Sequence, residues 1–286
     1  MQIPPAPEGE LAPGLYVVST PIGNLRDLTF RALDVLTRCD LVLAEDTRVA
    51  GKLLSAYGLK KKVIRYDDHA GEAARPRILM DLKEGKRLAL ISDAGTPLVS
   101  DPGFKLTKEA AHFGAAVIPI PGASAPLAAL AIAGLPTDRF LFSGFLPQKS
   151  AARRTALEEL GGVRATLVFF ESGPRLRASL QDMAAVLGGQ REAAVARELT
   201  KLYETCIRGT LAELAVHEKL DGPKGEIVVM VGPGREEEAT ADDIDRALAE
   251  AMTRMGPSEA AAETAKALGL PRRALYRRAL ELKGVP

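Results

Sequence analysis

The chain has 286 residues, 47% of them apolar and 26% charged, with 38 basic against 37 acidic residues and a formal net charge of +1. That length can build more than one core, and the composition is that of a globular protein. The even charge balance leaves no global field for a polyanion, and the absence of Trp with only 5% aromatic residues argues against a base-stacking platform for single-stranded nucleic acid.

In chain order, Ile3-Pro4-Pro5-Ala6-Pro7 reads as part of a disordered lead-in over 1–13, without a basic and then apolar signal-peptide pattern. Strands are predicted near 15–20, 40–44, 63–66, 87–92 and 116–120, with helices at 29–37, 48–57, 71–84 and 104–113 between them. Helical crossovers between strands make a parallel sheet, so 14–121 is expected to be an N-terminal α/β domain. Pro121-Gly122-Ala123 leads into a second α/β domain over 122–233, opening with Ser124 as the N-cap of an apolar helix at 125–133. Strands follow near 139–145, 165–170, 193–198, 203–208 and 226–231, with helices at 149–160, 174–187 and 210–217. The two strands flanking Glu198-Leu199-Thr200-Lys201 are close enough for a hairpin, so this sheet is expected to be mixed. Gly232-Pro233-Gly234 marks a linker, and 234–286 reads as a helical tail with helices at 241–254, 258–268 and 272–282. The last two outline a helix-turn-helix. Cys39 and Cys206 have no metal spacing and the three histidines do not cluster, so no metal site is expected. No apolar run is long enough to span a bilayer, and the expected location is the cytoplasm.

Five apolar runs each end in a polar or Gly-rich elbow, and in a parallel sheet such elbows gather along one edge. The most informative is Leu88 to Ile91 running into Ser92-Asp93-Ala94-Gly95-Thr96-Pro97. Small residues there let a ligand approach the backbone, and the Asp93 carboxylate suits a ribose hydroxyl or a positive centre better than a phosphate. The second elbow is Glu45-Asp46-Thr47-Arg48, the third Glu171-Ser172-Gly173-Pro174-Arg175, and Arg197-Glu198-Leu199-Thr200-Lys201 has the same mixed character. A carboxylate beside a base can position a hydroxyl nucleophile and take its proton, so Glu45, Asp46, Glu171, Glu198 and Lys201 are the catalytic candidates. Arg48, Arg175 and Arg197 are candidate substrate cations, with His69 beside them as a loop donor. Each elbow also reads as a helix cap or a surface ion pair, Glu45, Asp46 and Glu171 sitting where a first-turn acid favours the helix dipole. Arg272, Arg273, Arg277 and Arg278 put a basic surface on the last helix, either for RNA phosphates or for solubility.

Taken together, Thr20-Pro21-Ile22-Gly23-Asn24-Leu25, Ala44 to Arg48, Ser92 to Pro97, Pro121 to Ser124 and Phe170-Glu171-Ser172 resemble the tetrapyrrole methylase superfamily. Within it they look like the bacterial branch that methylates a ribose 2′ oxygen of small-subunit ribosomal RNA. The resemblance covers about 15–231, and the tail is similar to the helix-turn-helix extension of that branch. It implies S-adenosylmethionine as methyl donor in a cleft between two α/β domains, a homodimer, and a cytidine ribose of 16S rRNA in the small ribosomal subunit as acceptor. Carried over by position, it implies donor contacts at Pro21, Asp93, Ala94, Gly95, Thr96, Ser124, Ala125, Phe170, Leu199 and Gly225. Porphyrin-modifying relatives carry a G-x-G-x-G first loop where this chain has Ser19 to Asn24, which favours the ribosomal branch. Two rivals stay open: a small-molecule, tetrapyrrole-type methyltransferase, and a non-catalytic donor-binding regulator that uses its tail on nucleic acid.

Overall fold

The computed structural model describes residues 9–67, 70–100, 103–234, 241–268 and 270–284. Two compact units result, 1–233 and 234–286. His69 lies outside the described residues.

The first sheet is wholly parallel, in the order β3-β2-β4-β1-β5: Val63–Arg65, Leu41–Ala44, Arg87–Ile91, Gly14–Val18 and Val117–Ile120. Alternation along these strands sorts their side chains to two faces. Tyr16, Val18, Val42, Ala89 and Ile91 pack under α1 (Phe30–Arg38) and α2 (Thr47–Ala56). Leu15, Leu41, Leu43, Leu88 and Leu90 pack under α3 (Ala70–Lys83) and α4 (Phe104–His112). Strands buried on both faces read as continuous apolar runs, which is why the sequence marks them so plainly. Val18 is paired with both Ile91 and Ile120, and Ala44 with Ile91, so four of the five elbows leave one edge of this sheet together.

The fifth elbow belongs elsewhere. The second sheet is mixed, in the order β6-β7-β10-β8-β9: Phe140–Phe145, Thr166–Ser172, Glu226–Val231, Glu192–Arg197 and Thr205–Thr210. Only β6 and β7 run parallel; β10 is antiparallel to both neighbours, and β8 and β9 form the expected hairpin. One face, with Leu167, Phe169, Val195 and Val229, packs under α6 (Ser150–Gly161), α7 (Gly173–Leu187) and α8 (Leu211–Val216). The other, with Val168, Ala194, Ala196, Val228 and Met230, packs on α5 (Ala125–Ala133) and also receives Ile22 from the first elbow. Pairing with β10 carries β7 two residues past Phe170, so Glu171 is a strand residue opposite Ile227 and not the first-turn acid of a helix.

In the second unit, α9 (Ala241–Met252), α10 (Pro257–Leu268) and α11 (Arg272–Leu282) close over Leu248, Ala261, Leu275 and Ala279. The outline is the expected helix-turn-helix. Among the described residues no helix is long and apolar enough to cross a membrane.

The start of α7, which follows Glu171 directly, depends on close backbone contact. A Cβ at Gly173 would stand 1.6 Å from the Pro223 carbonyl oxygen, whereas one at Gly161 would meet nothing within 4 Å. Gly173→Ala is therefore expected to cost about 2–3 kcal/mol in denaturant unfolding through overpacking. Gly161→Ala, at the end of α6, should be neutral or gain about 0.5 kcal/mol. Equal stability of the two variants would remove the tight contact at 173.

Candidate functional site

The loops at the carboxyl edge of the first sheet are tied to one another by their backbones. Thr20 N–H donates to Gly95 O at 2.8 Å and Gly95 N–H to Thr20 O at 3.1 Å, a two-way bridge between the ends of β1 and β4. Thr96 Oγ1 lies 3.0 Å from Ser19 Oγ and donates to Ala123 O at 3.2 Å, which brings in the segment after β5. Leu98 and Ser100, with φ of 75° and 63°, hold the far half of the 92–100 loop in left-handed conformations that non-glycine residues seldom adopt. Such outliers concentrate at ligand sites.

Over this bed lies a cavity of about 230 Å³, more than ten times what one water needs. Ala94, Gly95 and Thr96 line it from the first sheet's loops, Ser124 and Ala125 from the start of α5, and Phe170 and Leu199 from the second sheet. These seven are expected donor contacts. Gly173 to Arg175 do not reach it, but Glu171 does. Ser124 is the N-cap of α5 without a side-chain capping bond, so that helix start keeps amide groups for a ligand. Phe170 packs edge-on against Phe142, centroids 4.8 Å apart, and lies 5.4 Å from Phe145, giving the cavity an aromatic wall. Phe145 lines it beyond a break in register between Phe142 and Phe145, and Glu226 lines it from the first position of β10. Neither was singled out by the sequence. Their place depends on β10 inserting between β7 and β8, a long-range pairing that leaves no local signal.

Three of the expected donor contacts stand outside the lining. Pro21 is buried and does not line the cavity, whereas the neighbouring Ile22 does. Asp93 is exposed, and its Oδ1 accepts the Asp46 N–H at 3.2 Å. Gly225, with φ of 107°, would place a Cβ 2.5 Å from Glu198 Oε1, so its role is to leave room for that carboxylate.

The charged elbows separate into distinct groups. Asp46 caps α2 and grips the exposed Arg48 through bonds of 3.0 and 2.6 Å, which hold its carboxyl well below the usual range. Glu45 is half-buried just before this pair. Glu171 is sealed: Ser179 donates to Oε2 at 2.5 Å, the Ser172 N–H to Oε1 at 2.9 Å, and Arg175 is an ion-pair partner at 3.3 Å. Arg175 in turn donates to Leu146 O at 2.7 Å, so it ties β6 to α7 and is no free phosphate clamp. Arg197 donates to Lys224 O at 2.9 Å.

Glu198, Lys201 and Glu226 form the remaining group. The Glu198 N–H donates to Glu226 O at 2.9 Å, and the Glu226 N–H donates back to Glu198 Oε1 at 3.0 Å. Lys201 Nζ bridges the carboxylates, 2.8 Å from Glu198 Oε1 and 3.1 Å from Glu226 Oε2. The Lys201 hydrogen bond and the Glu226 amide lower the Glu198 pKa. Burial opposes charge on Lys201, but its bonds to the two carboxylates outweigh that and raise its pKa. Both shifts favour the charged forms of Glu198 and Lys201. Glu198 and Thr200, with φ of 53° and 65°, hold Leu199 between them against the cavity. Among the described residues no group of three or more His, Cys, Asp or Glu could hold a metal ion.

A family profile described as Tetrapyrrole (Corrin/Porphyrin) Methylases matches residues 14–215, and one described as RsmI C-terminal HTH domain matches 238–283. The chain is 53% identical over 278 residues to the ribosomal RNA small subunit methyltransferase I of Mesorhizobium japonicum, covering 97% of this chain and 95% of that one. It is 45% identical over 273 residues to the protein of the same name from Escherichia coli O157:H7, covering 94% and 96%. Among solved structures, a Thermus thermophilus uroporphyrin-III-C-methyltransferase aligns with a TM-score of 0.54 at 21% identity over 76% of this chain and 93% of its own. Diphthine synthase aligns with a TM-score of 0.58 at 17% identity over 76% and 89%, so these two share the fold. The chain belongs to the tetrapyrrole methylase family and, within it, to the group of curated ribosomal RNA small subunit methyltransferases I.

Proposed function

We propose that this protein is an S-adenosylmethionine-dependent methyltransferase acting on the 2′ oxygen of a cytidine ribose in 16S rRNA of the small ribosomal subunit. The observation that carries this reading is the near full-length similarity to proteins named for small-subunit RNA methylation, with a matching C-terminal module. In the same reading it is a cytoplasmic homodimer, with 14–121 and 122–233 as the two domains that flank the donor.

The cavity's residues fit such a donor. The amides of Ala94 and Thr96 and the start of α5 offer hydrogen bonds to a nucleoside and an amino-acid carboxylate, while Phe170, Phe145 and Leu199 cover apolar surface. The bound donor supplies a methyl group already activated on a sulfonium. The protein's contribution is then mainly to fix the two reactants in line. Glu171 acts as a positioning residue, because its carboxylate is spent on Ser179, Ser172 and Arg175. Lys201 supplies a fixed cation for the acceptor's phosphate or for charge growing on its oxygen. Glu45, and Glu198 beside its Lys201 partner, are the carboxylates this reading assigns to receive the ribose proton. In the second unit, Arg273 and Arg277 are exposed and make no ion pair among the described residues, whereas Arg278 is held by Asp245 and Glu281. The first two are the phosphate contacts of the tail.

The direct test is transfer of labelled methyl from S-adenosylmethionine to small subunits lacking the modification, with 2′-O-methylcytidine mapped in the 16S rRNA. Label passing instead to a porphyrinoid precursor would favour the small-molecule rival. Tight donor binding without turnover on any ribosomal particle would favour the regulator.

Lys201→Met is expected to lower turnover about 10²-fold while donor binding is retained. Its raised pKa keeps the ammonium charged at neutral pH, so the rate should fall without a shift of the profile between pH 6 and 8. A rising limb that disappears in the variant would instead make Lys201 the base.

Truncation after Gly234 cuts between the two units and should preserve donor binding while weakening binding to the subunit. Arg273→Ala with Arg277→Ala should reduce the slope of log affinity against log salt by about 1 per arginine. An unchanged slope would make this face a solvated surface only.

A further inference from the structure

We infer that the Glu226 carboxylate makes the cavity prefer the positively charged methyl donor over its demethylated product. This rests on the reading of the cavity as the S-adenosylmethionine site. It adds a residue that sets the order of affinities. The donor carries a sulfonium that becomes a neutral thioether when the methyl leaves. Any fixed charge facing the ligand must therefore distinguish the two.

Strand alternation fixes which charge that is. Ile227, Val229 and Val231 of β10 face α6 to α8, whereas Val228 and Met230 face α5. Glu226 has the parity of the second set, the face that also presents Val168, Ala196 and Leu199. Glu171 has the opposite parity: it continues Leu167 and Phe169 toward α7, where Ser179 takes its carboxylate and Arg175 offsets its charge. Glu171 and Glu226 are the acidic residues of the lining, and of the two Glu226 has the parity of the sheet face that packs on α5 and receives Ile22.

Among the described residues, none that lines the cavity is cationic. Lys201 is the cation paired with Glu226, and its single ammonium is shared between Glu198 and Glu226, at 2.8 and 3.1 Å. Arg197 also acts on Glu198, but its guanidinium is turned to the Lys224 carbonyl, and Glu204 is turned to the Thr200 amide. The Glu226 side chain is 71% exposed against 20% for Glu198, so it is the less constrained of the two and can turn toward a ligand. Phe170 and Phe145 put aromatic rings in the lining of the same cavity, a setting that also suits a cation.

The test is calorimetric titration of the full-length protein with S-adenosylmethionine and with S-adenosylhomocysteine, for wild type, Glu226→Gln and Glu226→Asp. For wild type, the ratio of the two dissociation constants should favour the donor, and more so at low salt. Glu226→Gln should weaken donor binding about fivefold and leave product binding unchanged, as for loss of one solvent-exposed charge contact. Glu226→Asp should restore most of the difference. Equal changes for both ligands in Glu226→Gln, or none, would overturn the inference and leave the donor site standing. A wild-type protein that binds neither ligand would overturn both. Glu226 is exposed at the start of its strand, so the glutamine variant should fold, and its unfolding curve checks this.

Discussion

Everything at the site depends on two hydrogen bonds between main-chain atoms, those that join Thr20 to Gly95 in both directions. They turn the ends of two strands from separate loops into one surface. Thr96 extends that surface to Ala123, and Ile22, carried on the same segment, passes into the apolar face of the second sheet. Because the bonds use backbone groups only, they constrain side chains at these positions little, apart from the need for small residues. What they require is the register of β1 against β4, and buried alternation on both faces of the parallel sheet sets that register. A slip of one residue would put Leu15 and Tyr16 on the wrong faces and break the bridge together with the core.

This explains which parts could be read from the sequence. Strands buried on both sides and helices with clear ends were legible almost to the residue. The helix at 125–133 is the clearest case: Pro126 suits its first turn and Gly134, at φ 73°, ends it in the left-handed conformation. The loop bed under the cavity was legible for the same reason, since small residues after an apolar strand mark a place where backbone can be approached. The second sheet was legible as a set of strands but not as an order. Nothing local places β10 between β7 and β8, and so nothing local places Glu226 or Phe145 at the cavity. Glu171 shows the opposite error: its type and place in the elbow were right, but the ladder to β10 extends past it and hides its carboxylate. Asp93 was read as a ligand contact because its chemistry suits one, yet its carboxylate already serves the Asp46 amide.

The charged residues around the cavity share one property that composition conceals. Nearly every cation and anion is committed to a partner of opposite sign or to a carbonyl, as with Asp46 and Arg48, Glu171 and Arg175, and Arg197 and Lys224. Such commitments push acids down and bases up, away from neutrality, as the Asp46, Glu198 and Lys201 directions show. Sites that depend on acid–base chemistry shift groups toward the working pH. Here the shifts run the other way.

That direction is consistent with chemistry in which the reactive bond is brought in ready-made. A sulfonium donor needs no general acid to activate its leaving group, because the departing sulfur becomes neutral. The demands on the protein are then alignment, exclusion of competing nucleophiles, and release of the spent donor. Main-chain hydrogen bonds meet the first, since they hold the bed without flexible side chains. The aromatic and apolar wall of Phe170, Phe145 and Leu199 meets the second. In the proposed reading the third needs a difference in charge between donor and product to be felt at the cavity, and the inferred role of Glu226, which shares the Lys201 ammonium with Glu198, would supply it. The near-zero net charge of the chain and the uneven charge of its cavity are thus parts of one arrangement.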